Sequence, residues 1–249
     1  MMQIKQFADM IKDCNNIVFF GGAGVSTESG VKDYRSQDGL YNTVKEYGIS
    51  PEQILSHTFF CNKPEVFYDF YRKYFIADVE PNDAHRALAQ LEKMGKLKAV
   101  ITQNIDGLHQ KAGSKNVIEL HGTTSEYYCH SCNKSLDNVN DIEQQIINGQ
   151  VPECRYCGGI AKPKVVLYEE GLYDGVAESA VEHIANADML IVGGTSLAVY
   201  PAASFVRYFK GKYIVMINKG ETEYDRNADL VIRDSIGKVL AETMKEVLK

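Results

Sequence analysis

Short apolar runs alternate with longer amphipathic segments along most of this chain. The runs cover residues 17–20, 99–102, 117–120, 189–192, 213–217 and 230–232. Strands that are apolar on both faces are typical of the centre of a parallel sheet covered by helices. Helical spacing is clear near the start, where Ile4, Phe7, Ala8 and Ile11 share one face. The pattern predicts an α/β fold built on one parallel sheet.

Glycine and polar residues follow most of these runs. They occupy residues 21–35, 103–109, 121–122, 193–197 and 218–219. Parallel sheets bind ligands at the carboxyl ends of their strands, where such segments would meet. We therefore expect the functional site at that edge of the sheet.

The first of these loops, residues 21–30, contains four glycines and leads from a strand into a predicted helix. Glycines let backbone amides approach phosphate oxygens, and a helix N-terminus adds partial positive charge. Thr27 stands where the third glycine of the common dinucleotide-binding fingerprint would be. From this loop alone, a nucleotide site and a merely tight turn remain equally open.

The second loop places Asn104 and Asp106 directly after a buried strand. Together these side chains can donate and accept hydrogen bonds, which suits a carboxamide such as that of nicotinamide. Asx residues also cap helices, so this alternative stays open.

His121 follows the third apolar run and should emerge at the carboxyl end of a strand, in position for general-base work. The other histidines are interpreted as structural, with His109 at the start of a helix: His57, His85, His109, His130 and His183.

Four cysteines form two C-x-x-C turns separated by 21 residues: Cys129, Cys132, Cys154 and Cys157. Such paired turns predict one tetrahedral zinc site, and an all-sulfur site leaves no position for substrate. The zinc should therefore be structural. A disulfide framework and redox-active thiol pairs are the alternatives. The surrounding segment has few aliphatic side chains, so we expect a small insert that depends on metal.

Cys14 and Cys61 lie among apolar residues and are expected to be buried thiols, which indicates the reducing cytoplasm. The amphipathic N-terminal segment fits a docking helix better than a signal peptide. A net charge of −6 argues against direct nucleic-acid binding. The most apolar stretch, residues 189–206, is interrupted by Gly193, Gly194 and Pro201, which argues against a membrane span. We expect a cytoplasmic monomer.

The motifs occur together in an order that resembles the sirtuins, which are NAD-dependent protein-lysine deacylases. The resemblance rests on Gly22-Ala23-Gly24-Val25-Ser26, Asp33-Tyr34-Arg35, residues 102–109, His121-Gly122, both C-x-x-C turns and Gly194-Thr195-Ser196-Leu197. It implies a Rossmann-like NAD-binding domain (1–31, 82–122 and 162–249), a cofactor-binding loop with a helical module (32–81) and a zinc-ribbon module (123–161). NAD and an acyl-lysine protein or peptide would meet between the large domain and the smaller inserted domain.

The resemblance also implies roles for individual residues. His121 and Asn104 would be catalytic. NAD would be bound by Ala23, Thr27, Tyr34, Arg35, Gln103, Ile105, Asp106, His121, Thr195, Ser196, Asn218 and Ile236. The substrate would contact Val165, Leu167 and Tyr168.

The implied reaction transfers the acyl group of lysine to ADP-ribose, with release of nicotinamide and free lysine. His121 would deprotonate a ribose hydroxyl, and NAD would be consumed. Three alternatives are kept: mono-ADP-ribosyl transfer to a protein, removal of longer apolar acyl groups, and a non-catalytic module that senses NAD or binds peptides.

The chain departs from the family pattern at two places, and one further position bears on the acyl group. Lys32 and Tyr34 replace the more common proline and phenylalanine, so rate or base exchange should differ. Glu169 replaces a glycine next to the substrate segment, and we expect it to favour basic residues flanking the target lysine. Arg72 is one position late for pairing with an acidic acyl group, which favours acetyl and apolar acyl groups.

Overall fold

The larger sheet of the computed structural model, which describes residues 2–31, 43–76 and 78–249, confirms the predicted α/β fold. Its six strands are all parallel and lie in the order β3-β2-β1-β7-β8-β9. Their bounds are β1 Ile17–Gly21, β2 Leu97–Thr102, β3 Val117–Glu119, β7 Met189–Gly193, β8 Tyr213–Ile217 and β9 Leu230–Ile232. Each predicted strand is present within one or two residues of its expected bounds.

Helices cover both faces of this sheet. The α-helices are α1 Met2–Asp13, α2 Pro51–Ile54, α3 His57–Asn62, α4 Pro64–Tyr74, α5 Asp83–Lys93, α6 Leu108–Lys111, α7 Val139–Ile147, α8 Val176–Asn186 and α9 Ile236–Val247, and residues 43–47 are also helical. Short 3-10 segments lie at Ala23–Val25, Thr27–Ser29, Ala202–Tyr208 and Glu223–Asn227.

Alternate residues of β1 supply two separate cores, which explains why the strand is apolar throughout. Phe19 points to the face covered by α1, α5 and α9, where Phe7 and Leu240 are fully buried. Phe20 points to the opposite face and packs with Ile184 of α8. Burial on both faces fixes the sheet as the centre of the large domain.

A second, three-stranded sheet belongs to the smaller part of the molecule. Its strands are β4 Gly122–Cys129, β5 Ser135–Leu136 and β6 Ala161–Val165, and both pairings are antiparallel. Phe60, Phe67 and Tyr71 of the helical module share one buried core with Tyr127 and Ile142. The helical module and the ribbon therefore form one inserted unit, while the exact domain boundaries remain a prediction.

Two local predictions are wrong. The segment after β1 forms two 3-10 turns, Ala23–Val25 and Thr27–Ser29, in place of the expected helix start. Cys61 is exposed, whereas Cys14 is buried as expected. Helix α3 is only six residues long, so its apolar neighbours did not indicate which way the Cys61 side chain faces.

Within the described parts of the chain, no helix combines the length and apolar character needed to cross a membrane.

Candidate active site

The order of the strands reverses between β1 and β7, and the loops that follow these two strands touch. The backbone N–H of Gly24 donates to the carbonyl of Gly194 at 2.8 Å. A Cβ on Gly24 would lie 2.8 Å from Gly194 Cα, so the contact requires glycine. Ligands of doubly wound sheets bind at this crossover, which places the site at the carboxyl ends of β1, β2, β3 and β7.

A cavity of about 220 Å³ opens at this edge of the sheet. It is lined by many of the predicted site residues: Ala23, Gln103, Asn104, Ile105, Asp106, His121, Val165, Leu167 and Tyr168. Both predicted catalytic residues, all three predicted substrate residues and part of the predicted cofactor set therefore line one cavity between the large sheet and the inserted unit.

A small polar network joins the loop after β1 to the loop after β2. The hydroxyl of Ser26 donates to Asp106 Oδ2 at 2.6 Å, and Asn104 Nδ2 donates to Ser26 Oγ at 3.0 Å. Asn104 Nδ2 also reaches the carbonyl of Gly22 at 3.1 Å. Ser26 is fully buried. The network fixes an amide and a carboxylate at the cavity wall, which suits recognition of a carboxamide.

Ser26 was not among the predicted site residues, although it belongs to the motif that carries the family resemblance. Its hydrogen-bond partners lie about 80 residues away, and nothing in the local pattern indicates them. Only the position of Ser26, two residues after Gly24, could have indicated a role in the site.

His121 follows β3 and lines the cavity. Its Nδ1 lies 3.0 Å from the carbonyl oxygen of Gln103, which can only accept a hydrogen bond. This contact favours the tautomer with the proton on Nδ1, so the neutral ring carries its lone pair on Nε2. The next residue, Gly122, has φ of +79°, and a Cβ there would lie 2.0 Å from the carbonyl oxygen of Lys164. The chain therefore needs glycine immediately after His121.

Gln103 ties the loop after β2 to the loop after β7. Its Nε2 donates to Thr195 Oγ1 at 3.0 Å, and Thr195 Oγ1 accepts from the backbone N–H of Leu197 at 3.1 Å. Both Gln103 and Thr195 are buried. These contacts explain how two predicted cofactor residues from distant segments come together.

Other predicted cofactor residues lie outside the cavity lining. Thr27 donates its hydroxyl to the carbonyl of Gly24 at 3.0 Å, and Ser196 is exposed. Asn218 follows β8, where its side chain donates to the carbonyl of Gly220 at 3.2 Å. Ile236 is 3% exposed and packs in the core beside Gly193. Lys32, Tyr34 and Arg35 lie outside the described residues.

The predicted substrate segment follows β6 and is held on several sides. The N–H of Val166 donates to the carbonyl of His121 at 2.8 Å, and that of Tyr168 to the carbonyl of Leu55 at 2.9 Å. The N–H of Leu167 donates to Glu170 Oε2 at 2.8 Å. The backbone N–H groups of all three residues are therefore engaged within the protein.

Glu169 has φ of +77°, a left-handed conformation that favours glycine. Its exposed carboxylate accepts from the backbone N–H of Thr58 at 2.9 Å, at the start of α3. This hydrogen bond lowers the pKa of Glu169, so the carboxylate is ionised at neutral pH. The departure from glycine thus places a negative charge beside the predicted substrate segment, and that charge also caps a helix.

The next residue, Glu170, lies at the centre of a partly buried charge cluster. Its carboxylate contacts Lys162 Nζ at 3.1 Å and His57 Nδ1 at 2.8 Å. Burial alone would raise the pKa of Glu170, but hydrogen bonds from Leu167 and His57 and the charge of Lys162 lower it.

Tyr71 lines the cavity, and Arg72 is absent from the lining among the described residues. Arg72 Nη2 pairs instead with Asp69 Oδ1 at 2.5 Å. Tyr71 is 1% exposed, and its hydroxyl lies 3.3 Å from that of Tyr127. The position of Arg72 relative to a bound acyl group stays a prediction.

The four predicted zinc ligands converge at the tip of the inserted unit. Their sulfur atoms all lie within 4.8 Å of one another, with Cys129 to Cys157 at 3.5 Å and Cys132 to Cys154 at 4.0 Å. Tetrahedral zinc with ordinary Zn–S bonds requires sulfurs about 3.8 Å apart. These separations exceed the roughly 2.05 Å of a disulfide bond, so the arrangement favours metal ligation over the disulfide alternative. The residues fit one structural zinc ion.

Two buried histidines lie behind the loop after β2, with their rings 4.7 Å apart. Burial and, to a lesser extent, the neighbouring His85 lower the pKa of His109 to about 3. Burial also lowers the pKa of His85 to about 4, although Asp106 opposes the shift. Both rings are therefore neutral at physiological pH.

Comparison with known proteins decides the family. The profile of the Sir2 family matches residues 22–201, well over half of the chain. This chain belongs to the Sir2 family.

The Sir2 relatives match over nearly the whole length. An NAD-dependent protein deacetylase of Clostridium acetobutylicum is 55% identical over 239 residues, which cover 96% of each chain. A solved structure of Sir2 with a p53 peptide and NAD+ has 37% identity and a TM-score of 0.87, covering 98% of each chain. A structure of Sir2 bound to an acetylated peptide has 36% identity and a TM-score of 0.85, again over 98% of each chain.

Proposed function

We propose that this Sir2 protein is an NAD-dependent protein-lysine deacetylase. The acetyl group of a lysine side chain is transferred to ADP-ribose, and nicotinamide and free lysine are released. The observation that carries the proposal is the single cavity that joins His121 and the loop of Asn104 and Asp106 to the segment of Val165 and Leu167. The relatives named above support NAD as co-substrate and an acetylated peptide as substrate.

His121 acts as the general base in this proposal. With its Nδ1 proton directed to the carbonyl of Gln103, the ring accepts a proton from a ribose hydroxyl at Nε2. The Gln103 carbonyl holds the ring orientation through this transfer and then stabilises the protonated ring. Gln103 also binds Thr195, so the base is connected to the loop after β7.

The polar network around Ser26 holds the nicotinamide carboxamide. Ser26 and Asn104 orient the Asp106 carboxylate and the nearby backbone, which pair with the amide N–H and carbonyl groups of nicotinamide. Ile105 and Ala23 supply the apolar wall beside the ring. Thr27, Tyr34, Arg35, Ser196, Asn218 and Ile236 keep their proposed roles along the remainder of NAD.

The proposal is tested by incubating the zinc-loaded protein with NAD and an acetyl-lysine peptide and quantifying all products by mass spectrometry. We expect nicotinamide, deacetylated peptide and acetyl-ADP-ribose in equal amounts. Nicotinamide release with ADP-ribose on protein and with unchanged peptide would instead establish mono-ADP-ribosyl transfer. NAD binding without nicotinamide release would indicate the non-catalytic module.

Removal of longer apolar acyl groups is a second candidate activity, favoured by the wall of the cavity. Tyr71, Phe75, Leu167 and Val199 line it, and Arg72 is paired with Asp69. A peptide series with acetyl, butyryl, octanoyl and succinyl lysine tests this candidate. We expect turnover of acetyl and apolar chains and little turnover of succinyl lysine.

Three further expectations belong to this proposal. A zinc site built from four thiols fits a reducing, cytoplasmic location, which we propose for this protein. We propose a monomer that binds neither nucleic acid nor membranes. We also propose the domain boundaries given above, with the exception that β6, Ala161–Val165, pairs with β4 and so belongs to the smaller sheet.

A further inference from the structure

A second cluster of metal-binding side chains lies outside the four-cysteine site. His57, Cys61 and His130 each offer one ligand atom, and these three atoms all lie within 4.8 Å of one another. Cys61 Sγ is 3.5 Å from His57 Nε2 and 3.6 Å from His130 Nε2. Ordinary Zn–S and Zn–N bonds at a tetrahedral angle place sulfur and nitrogen about 3.6 Å apart. The spacing fits one ion bound by three side chains.

The fold holds these three side chains from two different segments. His57 is the first residue of α3, and Cys61 lies one turn later on the same helix face. His130 comes from the first C-x-x-C turn, where its backbone N–H donates to the carbonyl of Ile160 at 2.9 Å. Its ring packs edge-on against Phe60, with centroids 5.4 Å apart. The cluster therefore bridges the helical module and the zinc ribbon.

A carboxylate orients one of the imidazole rings. His57 Nδ1 lies 2.8 Å from Glu170 Oε1, and an ionised carboxylate can only accept a hydrogen bond. The proton of the neutral ring therefore lies on Nδ1, and the lone pair of Nε2 faces Cys61. Metal-binding histidines commonly donate their second ring N–H to a carboxylate in this way. The contact between His57 and Glu170 therefore supports a metal site independently of the spacing of the three ligand atoms.

We propose that His57, Cys61 and His130 form a second metal site, which binds a borderline-soft divalent ion such as Zn²⁺. One thiolate and two neutral imidazoles are ligands that suit this class of ion. On binding, the Cys61 thiol releases its proton to solvent, and the site gains a net charge of +1 opposite Glu170. Cys61 is exposed, so the fourth position is taken by water and the ion exchanges with solution.

The site is connected to the substrate segment. The N–H of His57 donates to the carbonyl of Tyr168 at 3.0 Å, and Glu170 accepts from the N–H of Leu167 at 2.8 Å. A bound ion fixes the His57 ring against Glu170 and thereby stiffens both contacts. Metal occupancy is thus coupled to the order of the segment that lines the cavity.

Metal stoichiometry tests the proposal directly. The protein carrying its structural zinc is equilibrated with excess Zn²⁺, freed of unbound metal by rapid gel filtration, and assayed for zinc per chain. We expect two zinc ions in the wild type and one in Cys61→Ser and in His57→Gln. His183→Gln, which changes a histidine outside the cluster, should retain two.

Alkylation of Cys61 gives a second readout that needs no variant. Iodoacetamide labelling of the zinc-loaded protein, read by peptide mass spectrometry, should slow at least 10-fold when excess Zn²⁺ is present. One zinc per chain in the saturated wild type, or an unchanged alkylation rate, contradicts the proposal. A second zinc ion that persists in both Cys61→Ser and His57→Gln also contradicts it.

Discussion

The hydroxyl of Ser26 donates a 2.6 Å hydrogen bond to Asp106, joining the loop after β1 to the loop after β2. Ser26 is fully buried and also accepts from Asn104, so it organises both polar side chains at the cavity wall. The proposed nicotinamide contacts therefore depend on Ser26, which is not one of the glycine positions of the common dinucleotide-binding fingerprint.

Replacing Ser26 with alanine should weaken the use of NAD. Loss of a hydrogen bond to a charged group costs about 1.5–3 kcal/mol, so kcat/KM for NAD should fall roughly 10- to 100-fold. Steady-state kinetics with varied NAD and saturating peptide measure the effect. Ser179→Ala on α8 is the matched control. If Ser26→Ala has the same kcat/KM for NAD as this control, Ser26 does not contribute to the use of NAD.

Loss of the structural zinc should destabilise the whole inserted unit. Cys129 and Cys154 lie in the same buried core as Phe67 and Tyr127, so the ribbon cannot loosen without disturbing the helical module. We expect Cys132→Ser to bind no zinc at the four-cysteine site and to lose roughly 3–5 kcal/mol, lowering Tm by about 10 °C.

Zinc analysis and thermal unfolding of the same samples measure this effect. Cys14→Ala, which changes a cysteine outside the metal sites, should keep the structural zinc. Unchanged thermal unfolding after complete removal of zinc would contradict a structural role.

Stability should fall as the pH drops below neutrality, because His85 and His109 are buried and neutral. Their folded-state pKa values, about 4 and about 3, are below the ordinary value of 6.5. The unfolded chain therefore binds protons first. The stability that these rings contribute is complete above pH 6.5 and is lost as the pH falls from 6.5 to about 4 for His85 and to about 3 for His109.

Urea unfolding at several pH values between 7 and 5 measures this loss. Each histidine contributes at most about 1.4 kcal/mol per pH unit. His109→Gln should reduce the slope of the unfolding free energy against pH by about 1.4 kcal/mol per pH unit, the contribution of one proton. His183→Gln should leave this slope unchanged. Equal slopes in all three proteins would show that the buried pair does not control the pH dependence.

Glu169 should favour substrates with basic residues beside the acetyl-lysine. Its ionised carboxylate lies at the surface next to Tyr168, although it also accepts from Thr58. Peptides with lysine-rich flanks should be processed roughly two- to fivefold more efficiently than peptides with glutamate-rich flanks. Glu169→Gln should bring the ratio of the two efficiencies closer to one, whereas Glu153→Gln in the ribbon should leave this ratio unchanged. Equal efficiency of the two wild-type reactions would exclude the preference.

The sequence alone was sufficient for the elements whose signals are local. Runs of β-branched residues located all six strands of the large sheet, and the cysteine spacing located the zinc ligands. The Ser26–Asp106 bond joins residues 80 positions apart and has no local signature. The cluster of His57, Cys61 and His130 was likewise missed, because it forms only when α3 packs against the first C-x-x-C turn.

The general-base role of His121 is the central claim, and product analysis of a His121→Ala variant tests it most directly. Wild type, His121→Ala and His183→Ala are each incubated with NAD and an acetyl-lysine peptide, and acetyl-ADP-ribose and deacetylated peptide are quantified by mass spectrometry. Wild type and His183→Ala should form both products. His121→Ala should form neither, while its structural zinc content and Tm stay close to those of the wild type. Wild-type rates of product formation by His121→Ala would contradict the account.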